Sequence, residues 1–181
     1  MDEFLNILKQ LEIQHPLEKL IGDEEFLKDS FLLREGQIAR KLYFVESGLL
    51  RGFHYKDSKE VINWFSYENL FATAMYSFVS QKPSYENIQA LENTKVKTIT
   101  YQKLQDLYKR HPDFERIGRL LTEQYYIQLE ERLISLQFQT AKERYENILQ
   151  KEPQLIHRIS LGHLASYLGM TQENLSRVRS K

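Results

Sequence analysis

The sequence predicts an α+β chain: an N-terminal β-roll or jelly roll, one long helix, and a C-terminal all-α segment ending in a helix-turn-helix. Three observations carry this reading. Short β-prone runs separated by turn residues fill the stretch from about Phe31 to Tyr101, and helical periodicity sets in after Pro112 and persists. The last segment, LGHLASYLGMTQENLSRVRSK from Leu161 to Lys181, then reads as two short helices about a glycine.

Phe4, Ile7, Leu8 and Leu11 lie at helical spacing, so the chain opens with an amphipathic helix that His15 and Pro16 close. Asp23, Glu24 and Glu25 read as a solvated surface run. The β-prone runs are FLL, KLYFVESG, LLRGFHY, KEVINWF, IQALE and KVKTITY, with Gly48 as a tight hairpin turn between Val45 and Leu49. The segment from Tyr67 to Pro83 interrupts them as a loop holding a short helix. After His111 and Pro112, residues Ile117, Leu120, Leu121, Ile127, Leu129, Leu133, Ile134 and Leu136 give more apolar surface than one face of a solitary helix needs. Such a helix packs on its own roll on one side and on an identical helix on the other, and the dimer contacts are expected at Ile117, Leu121, Leu129, Leu133 and Leu136. Thr140 opens a T-x-x-E capping box with Glu143, which marks a fresh helix and a hinge.

In the terminal pair, Leu161, Leu164, Leu168, Met170, Leu175 and Val178 form one inner face. Ala165 is small where the two helices cross, Gly169 supplies the left-handed corner, and Ser160 and Thr171 are N-caps, with Glu173 in the first turn of the second helix. This is the layout of a DNA-reading pair; the alternative is a helical hairpin packed on its own domain. The 25 basic and 25 acidic residues cancel, but from Ala141 onward seven basic residues face four acidic ones. Arg177, Arg179 and Lys181 end the second helix, where phosphate contacts are wanted.

Cysteine is absent, which excludes disulfides, a thiolate nucleophile and cysteine-held metal. No basic leader and no run of ~20 apolar residues is present, so a soluble cytoplasmic protein with no membrane partner is expected. An enzyme is disfavoured: there is no G-x-S-x-G, no H-E-x-x-H and no glycine-rich phosphate loop. The histidines are scattered and only His54 falls among the strands, so no metal site and no catalytic residue is assigned.

Three stretches, EGQIARKLYFVESGLLRGF from Glu35, TAKERYENIL from Thr140 and ASYLGMTQENLSRVR from Ala165, resemble the Crp/Fnr transcription regulators over nearly the whole chain. The TA-x-ERY and ASYLG-x-T-x-E-x-LSR-x-R wording is similar to the Bacteroidetes branch. The resemblance implies a cyclic-nucleotide-binding-like sensor domain over residues 1–112, a dimerisation helix over 113–139 and a DNA-binding domain over 140–181. It further implies a homodimer on palindromic double-stranded DNA, with RNA polymerase as a further partner. The family's recognition positions fall on Gln172, Glu173 and Arg177 for base edges, with Thr171, Ser176, Arg179 and Lys181 placed for phosphates. The chain stops at Lys181, without the β-hairpin wing that follows in many relatives.

Cyclic-AMP-binding members carry FGE and an Arg-Ser or Arg-Thr pair. Here Phe71-Ala72-Thr73 and Ser84-Tyr85 stand at those places, and a buried phosphate would lack its arginine. Control by cyclic AMP is therefore not expected and no cofactor is assigned. Phe71, Thr73, Ser84 and Tyr85 remain the positions at which some other small effector would bind. The rival reading is an effector-binding or protein-interaction module that no longer binds specific DNA.

Overall fold

The structure, a computed structural model, describes residues 21–180; the helix expected over residues 1–13 and Lys181 lie outside them. Eight strands form two four-stranded antiparallel sheets. In one, β1 (Gly22–Phe26), β8 (Thr94–Thr100), β3 (Lys41–Ser47) and β6 (Phe71–Ala72) lie in that order. In the other the order is β2 (Phe31–Leu33), β7 (Asn87–Ala90), β4 (Leu49–Lys56) and β5 (Lys59–Tyr67). Every β-prone run of the sequence is a strand. The roll begins earlier than expected, however, because the charged run Asp23–Glu25 belongs to edge strand β1. Its acids stand across from lysines in register, Asp23 opposite Lys97 and Glu25 opposite Lys95, and Lys41 meets Glu24 at 2.6 Å. Cross-strand charge pairs thus replace the apolar alternation by which strands are usually read.

Tyr43, Val45, Leu50, Ala72, Ala90 and Val96 fill one part of the space between the sheets, and Leu33, Ala39, Ala74, Phe78 and Ile88 the other. Trp64 packs against both groups. Its ring occupies the place that a side chain at residue 52 would take: a Cβ on Gly52 would lie 2.0 Å from Trp64 Cε2. Gly48 turns β3 into β4 at φ 103°, and a Cβ there would come within 2.6 Å of Thr94 Cα.

A short helix α1 (Met75–Ser80) falls in the expected loop. Helix α2 (Tyr101–Arg110) was not anticipated; Thr100 caps it by accepting from the Lys103 N–H. Pro112 then starts α3 (Pro112–Phe138) at its first turn, where its missing N–H does no harm. Along α3 Phe114 alone is buried and most of the apolar stripe is exposed in the single chain, while the helix meets its own roll through Arg132, which donates to Ile62 O at 3.3 Å.

Four helices follow: α4 (Ala141–Lys151), α5 (Pro153–Ile156), α6 (Leu161–Tyr167) and α7 (Gln172–Arg179). Thr140 and Glu143 form the full capping box, and Ser160 and Thr171 cap α6 and α7. Gly169 sits at φ 65° in the corner. Leu164, Ala165, Leu168 and Leu175 close on Ile148 and Leu155, and the same cluster contains Leu49 of β4 with Phe65, Tyr67 and Leu91 against it. The helical domain and the roll therefore share one core.

We expect Gly48→Ala to destabilise the protein by about 2–5 kcal/mol in urea unfolding, joining a positive-φ penalty of about 1–2 to overpacking of about 1–3. Gly36→Ala, at φ 84° with no atom within 4 Å of the added Cβ, isolates the backbone part and serves as the control.

Candidate nucleic-acid interface

Helix α7 is anchored by Leu175, which is fully buried, while Gln172, Glu173, Ser176, Arg177 and Arg179 are all exposed. Glu173 and Arg177 stand four residues apart and so share a face. The Thr171 hydroxyl accepts from the Asn174 N–H at 3.2 Å, which fixes the first turn. The Glu173 carboxyl is held below the usual carboxylate range by its own backbone N–H and the Thr171 hydroxyl, with smaller help from Arg177 and Lys59. At neutral pH the face therefore offers one anion, two guanidiniums, an amide and two hydroxyls, a set suited to base edges and phosphates.

Beside the apolar cluster that holds Leu175, a polar dock on the roll, not foreseen from the sequence, fixes α6 in place. Arg51 of β4 is only 5% exposed. Its guanidinium forks onto Glu60 at 2.6 and 3.1 Å and onto Gln89 at 2.7 and 3.0 Å, and donates to His163 Nε2 at 2.8 Å. A guanidinium has no acceptor, so Nε2 must accept and His163 is neutral with its proton on Nδ1. Burial, and then the Arg51 charge, push its pKa down against the pull of Glu60. Beside it the Ser166 hydroxyl donates to Glu60 O at 2.9 Å and accepts from the Ile62 N–H at 3.0 Å. Arg132 of α3 donates to the carbonyls of Ile62 and Tyr167 and lies 4.1 Å over the Tyr167 ring.

At the other end of the dock Arg158 grips Glu68 at 2.7 and 3.1 Å and Glu92 at 2.7 and 3.0 Å. Burial would raise the Glu68 carboxyl, but hydrogen bonds from Arg158 and the Gly48 N–H outweigh it and lower its pKa. The Tyr67 hydroxyl donates to Glu152 at 3.4 Å, and burial with that carboxylate pushes its pKa up to about 12. The one signal available in the sequence was LLRGFHY, in which both alternating faces carry residues unsuited to solvent.

The positions expected to hold an effector are dispersed. A cavity of about 500 Å³ is bordered by Leu33, Arg40, Lys41, Tyr43, Thr73 and Ile88. Thr73 reaches it, but its hydroxyl already donates to Lys41 O at 2.9 Å. Ser84 turns its hydroxyl to the Glu86 backbone, Phe71 packs on Phe44, and Tyr85 is exposed against Tyr76. Two residues past Ser84, the buried Glu86 carboxylate accepts from Asn63 at 2.7 Å and from the Trp64 indole at 3.2 Å. Burial raises its pKa against those two hydrogen bonds. Among the described residues no three His, Asp or Glu side chains converge as a metal site, and no helix is long and apolar enough to cross a membrane.

Residues 23–111 match the sequence profile of the cyclic nucleotide-binding domain. No curated protein matches the chain significantly. Among solved structures, FixK2 from Bradyrhizobium japonicum is similar at 20% identity and a TM-score of 0.76, over 88% of this chain and 83% of that one. The c-di-GMP responsive global regulator CLP of Xanthomonas campestris is similar at 22% identity and a TM-score of 0.71, over 98% and 90%. The Thermus thermophilus catabolite activator protein follows at 19% and 0.58, over 94% and 84%. The shared fold is thus a cyclic-nucleotide-binding roll, a long helix and C-terminal helices, as found in Crp/Fnr regulators.

The neutral His163 makes the dock sensitive to acid. Its proton binds less readily in the folded chain than in the unfolded one, so stabilisation present above the ordinary value of 6.5 is lost as pH falls below it. We expect the urea midpoint to drop more steeply between about pH 7.5 and 5.5 in the wild type than in His163→Gln; parallel curves would contradict the lowered proton affinity of His163.

Proposed function

We propose that the chain is a homodimeric, sequence-specific DNA-binding transcription regulator of the Crp/Fnr type, similar to its Bacteroidetes branch and not controlled by cyclic AMP. The observation that carries this is the capped, outward-facing α7, whose exposed residues are Gln172, Glu173, Ser176, Arg177 and Arg179, in a fold shared with such regulators. Arg177 makes a bidentate pair with guanine, Glu173 accepts from cytosine and Gln172 pairs with adenine, while Thr171, Ser176, Arg179 and Lys181 position the helix on phosphates.

Dimerisation follows from α3. Leu121, Leu129, Leu133 and Leu136 are 42%, 50%, 49% and 41% exposed, and Ile117 is half-buried. A second copy of α3 covers this stripe and sets the two recognition helices about 34 Å apart, one turn of DNA. RNA polymerase is the further partner such a regulator addresses. Cyclic AMP is disfavoured because Thr73 and Ser84 replace its anchoring carboxylate and arginine.

Selection of bound duplexes from a random library tests the reading, and a library that returns no enriched sequence rejects it. We expect Arg177→Ala to cost about 1–3 kcal/mol and to relax one base pair in each half-site, while Arg179→Ala weakens all sequences alike. Leu133→Glu should turn the dimer into a monomer in sedimentation and weaken DNA binding with it. Calorimetric titration with cyclic AMP should give no heat of binding at micromolar concentration.

A further inference from the structure

The β4–β5 hairpin ends in Lys56-Asp57-Ser58-Lys59, whose side chains take no part in the dock. Asp57 and Ser58 both hold positive φ, 50° and 62°, the backbone of a two-residue turn that matches strand twist and gives a stiff tip. That turn puts Lys56 and Lys59 directly opposite one another in the ladder, both exposed. Like charges so placed destabilise a hairpin. Neither ammonium forms an ion pair among the described residues, and Asp57 offsets only part of the charge. The tip therefore carries two exposed ammonium groups side by side.

Glu60, the residue after Lys59, is tied to the helical domain directly, its carbonyl accepting from Ser166, and indirectly, its carboxylate holding the guanidinium that meets His163. The tip is therefore carried rigidly beside α6, one residue away from a fixed contact. Lys59 is also close enough to Glu173, in the first turn of α7, to help keep that carboxylate ionised. Gln172 lies beside the start of α6 as well, its Oε1 being 3.8 Å from a Cβ built at Gly162. The first turn of α7, the start of α6 and the hairpin tip thus crowd one edge of the candidate interface.

We propose that Lys56 and Lys59 form a second DNA-backbone contact, in which the hairpin of the roll grips phosphates beside the groove that α7 enters. This rests on the DNA-binding reading given above. The roll then contributes directly to affinity, and the polar dock acquires a use: it fixes the spacing between the reading helix and the gripping tip. Because the grip is on phosphate, it adds affinity without sequence preference.

The test uses the full chain, its selected duplex and a scrambled duplex of equal length, with binding measured over a range of potassium chloride concentrations. Lys56→Gln/Lys59→Gln should weaken both duplexes several-fold at low salt, and should reduce the slope of log affinity against log salt by roughly one for each phosphate that the hairpin no longer neutralises. The selected sequence should not change, in contrast to Arg177→Ala. Lys56→Arg/Lys59→Arg should restore affinity and slope, and a urea midpoint no lower than that of the wild type in both variants excludes a folding defect. If the glutamine variant keeps wild-type affinity and slope on both duplexes, the hairpin does not touch phosphate, although the DNA-binding reading survives. If the wild type itself binds neither duplex, both fall together.

Discussion

The structure turns on a buried guanidinium. Arg51 lies on a strand enclosed on both faces, with Leu50 turned into the roll and Leu49 against the helical domain. A charge so placed is tolerable only if it is paired and its donors are used, and removing a partner from such a site costs about 3–5 kcal/mol. Glu60 supplies the countercharge, but Gln89 and His163 are needed to complete the set of acceptors. Since His163 belongs to α6, the electrostatics of a roll strand are satisfied only when the helical domain is seated. The contrast with Arg119 and Glu123, an exposed pair on α3 worth about 0.3–0.5 kcal/mol, shows which ionic contacts decide the architecture.

The same constraint governs the relation between the two parts of the molecule. A helix break at Gln139 and Thr140 gives α4 a fresh start, so covalent geometry alone leaves the helical domain able to rotate. The shared cluster around Leu49, the Arg158 grip on Glu68 and Glu92, and the reach of Arg132 from α3 oppose that rotation from three directions. Arg158 contributes less than its four hydrogen bonds suggest, because both carboxylates are about a third exposed and water screens them. In this seating the outer face of α7 is open.

The roll interior follows a separate logic. Gly52 exists to admit Trp64, whose indole N–H needs an acceptor and finds the Glu86 carboxylate. A residue that serves as a hydrogen-bond acceptor inside the roll also sets a negative potential there. Beside this packed part the roll keeps a cavity of about 500 Å³, bordered by Arg40, Lys41 and Thr73.

Much was legible from local pattern. Strand runs, the Thr140 capping box, Gly48, Gly169 and the paired terminal helices depend on neighbours within a few residues, so spacing and residue type were enough to fix them. Strand β1 was not legible because its partners are charges on β3 and β8, far along the chain, and α2 was hidden behind a β-prone run. The dispersal of Phe71, Thr73, Ser84 and Tyr85 likewise came from packing: the Ser84 hydroxyl is taken by the Glu86 backbone and that of Thr73 by Lys41 O, while Phe71 and Tyr85 stack on Phe44 and Tyr76. The sequence by itself determined the order of elements, the outward polar face of α7 and the apolar stripe of α3. Only tertiary structure decided how the domains sit, because Arg51, Glu60, Arg158, His163 and Ser166 become one site through bonds between roll and helical domain that span more than sixty positions, which no periodicity records.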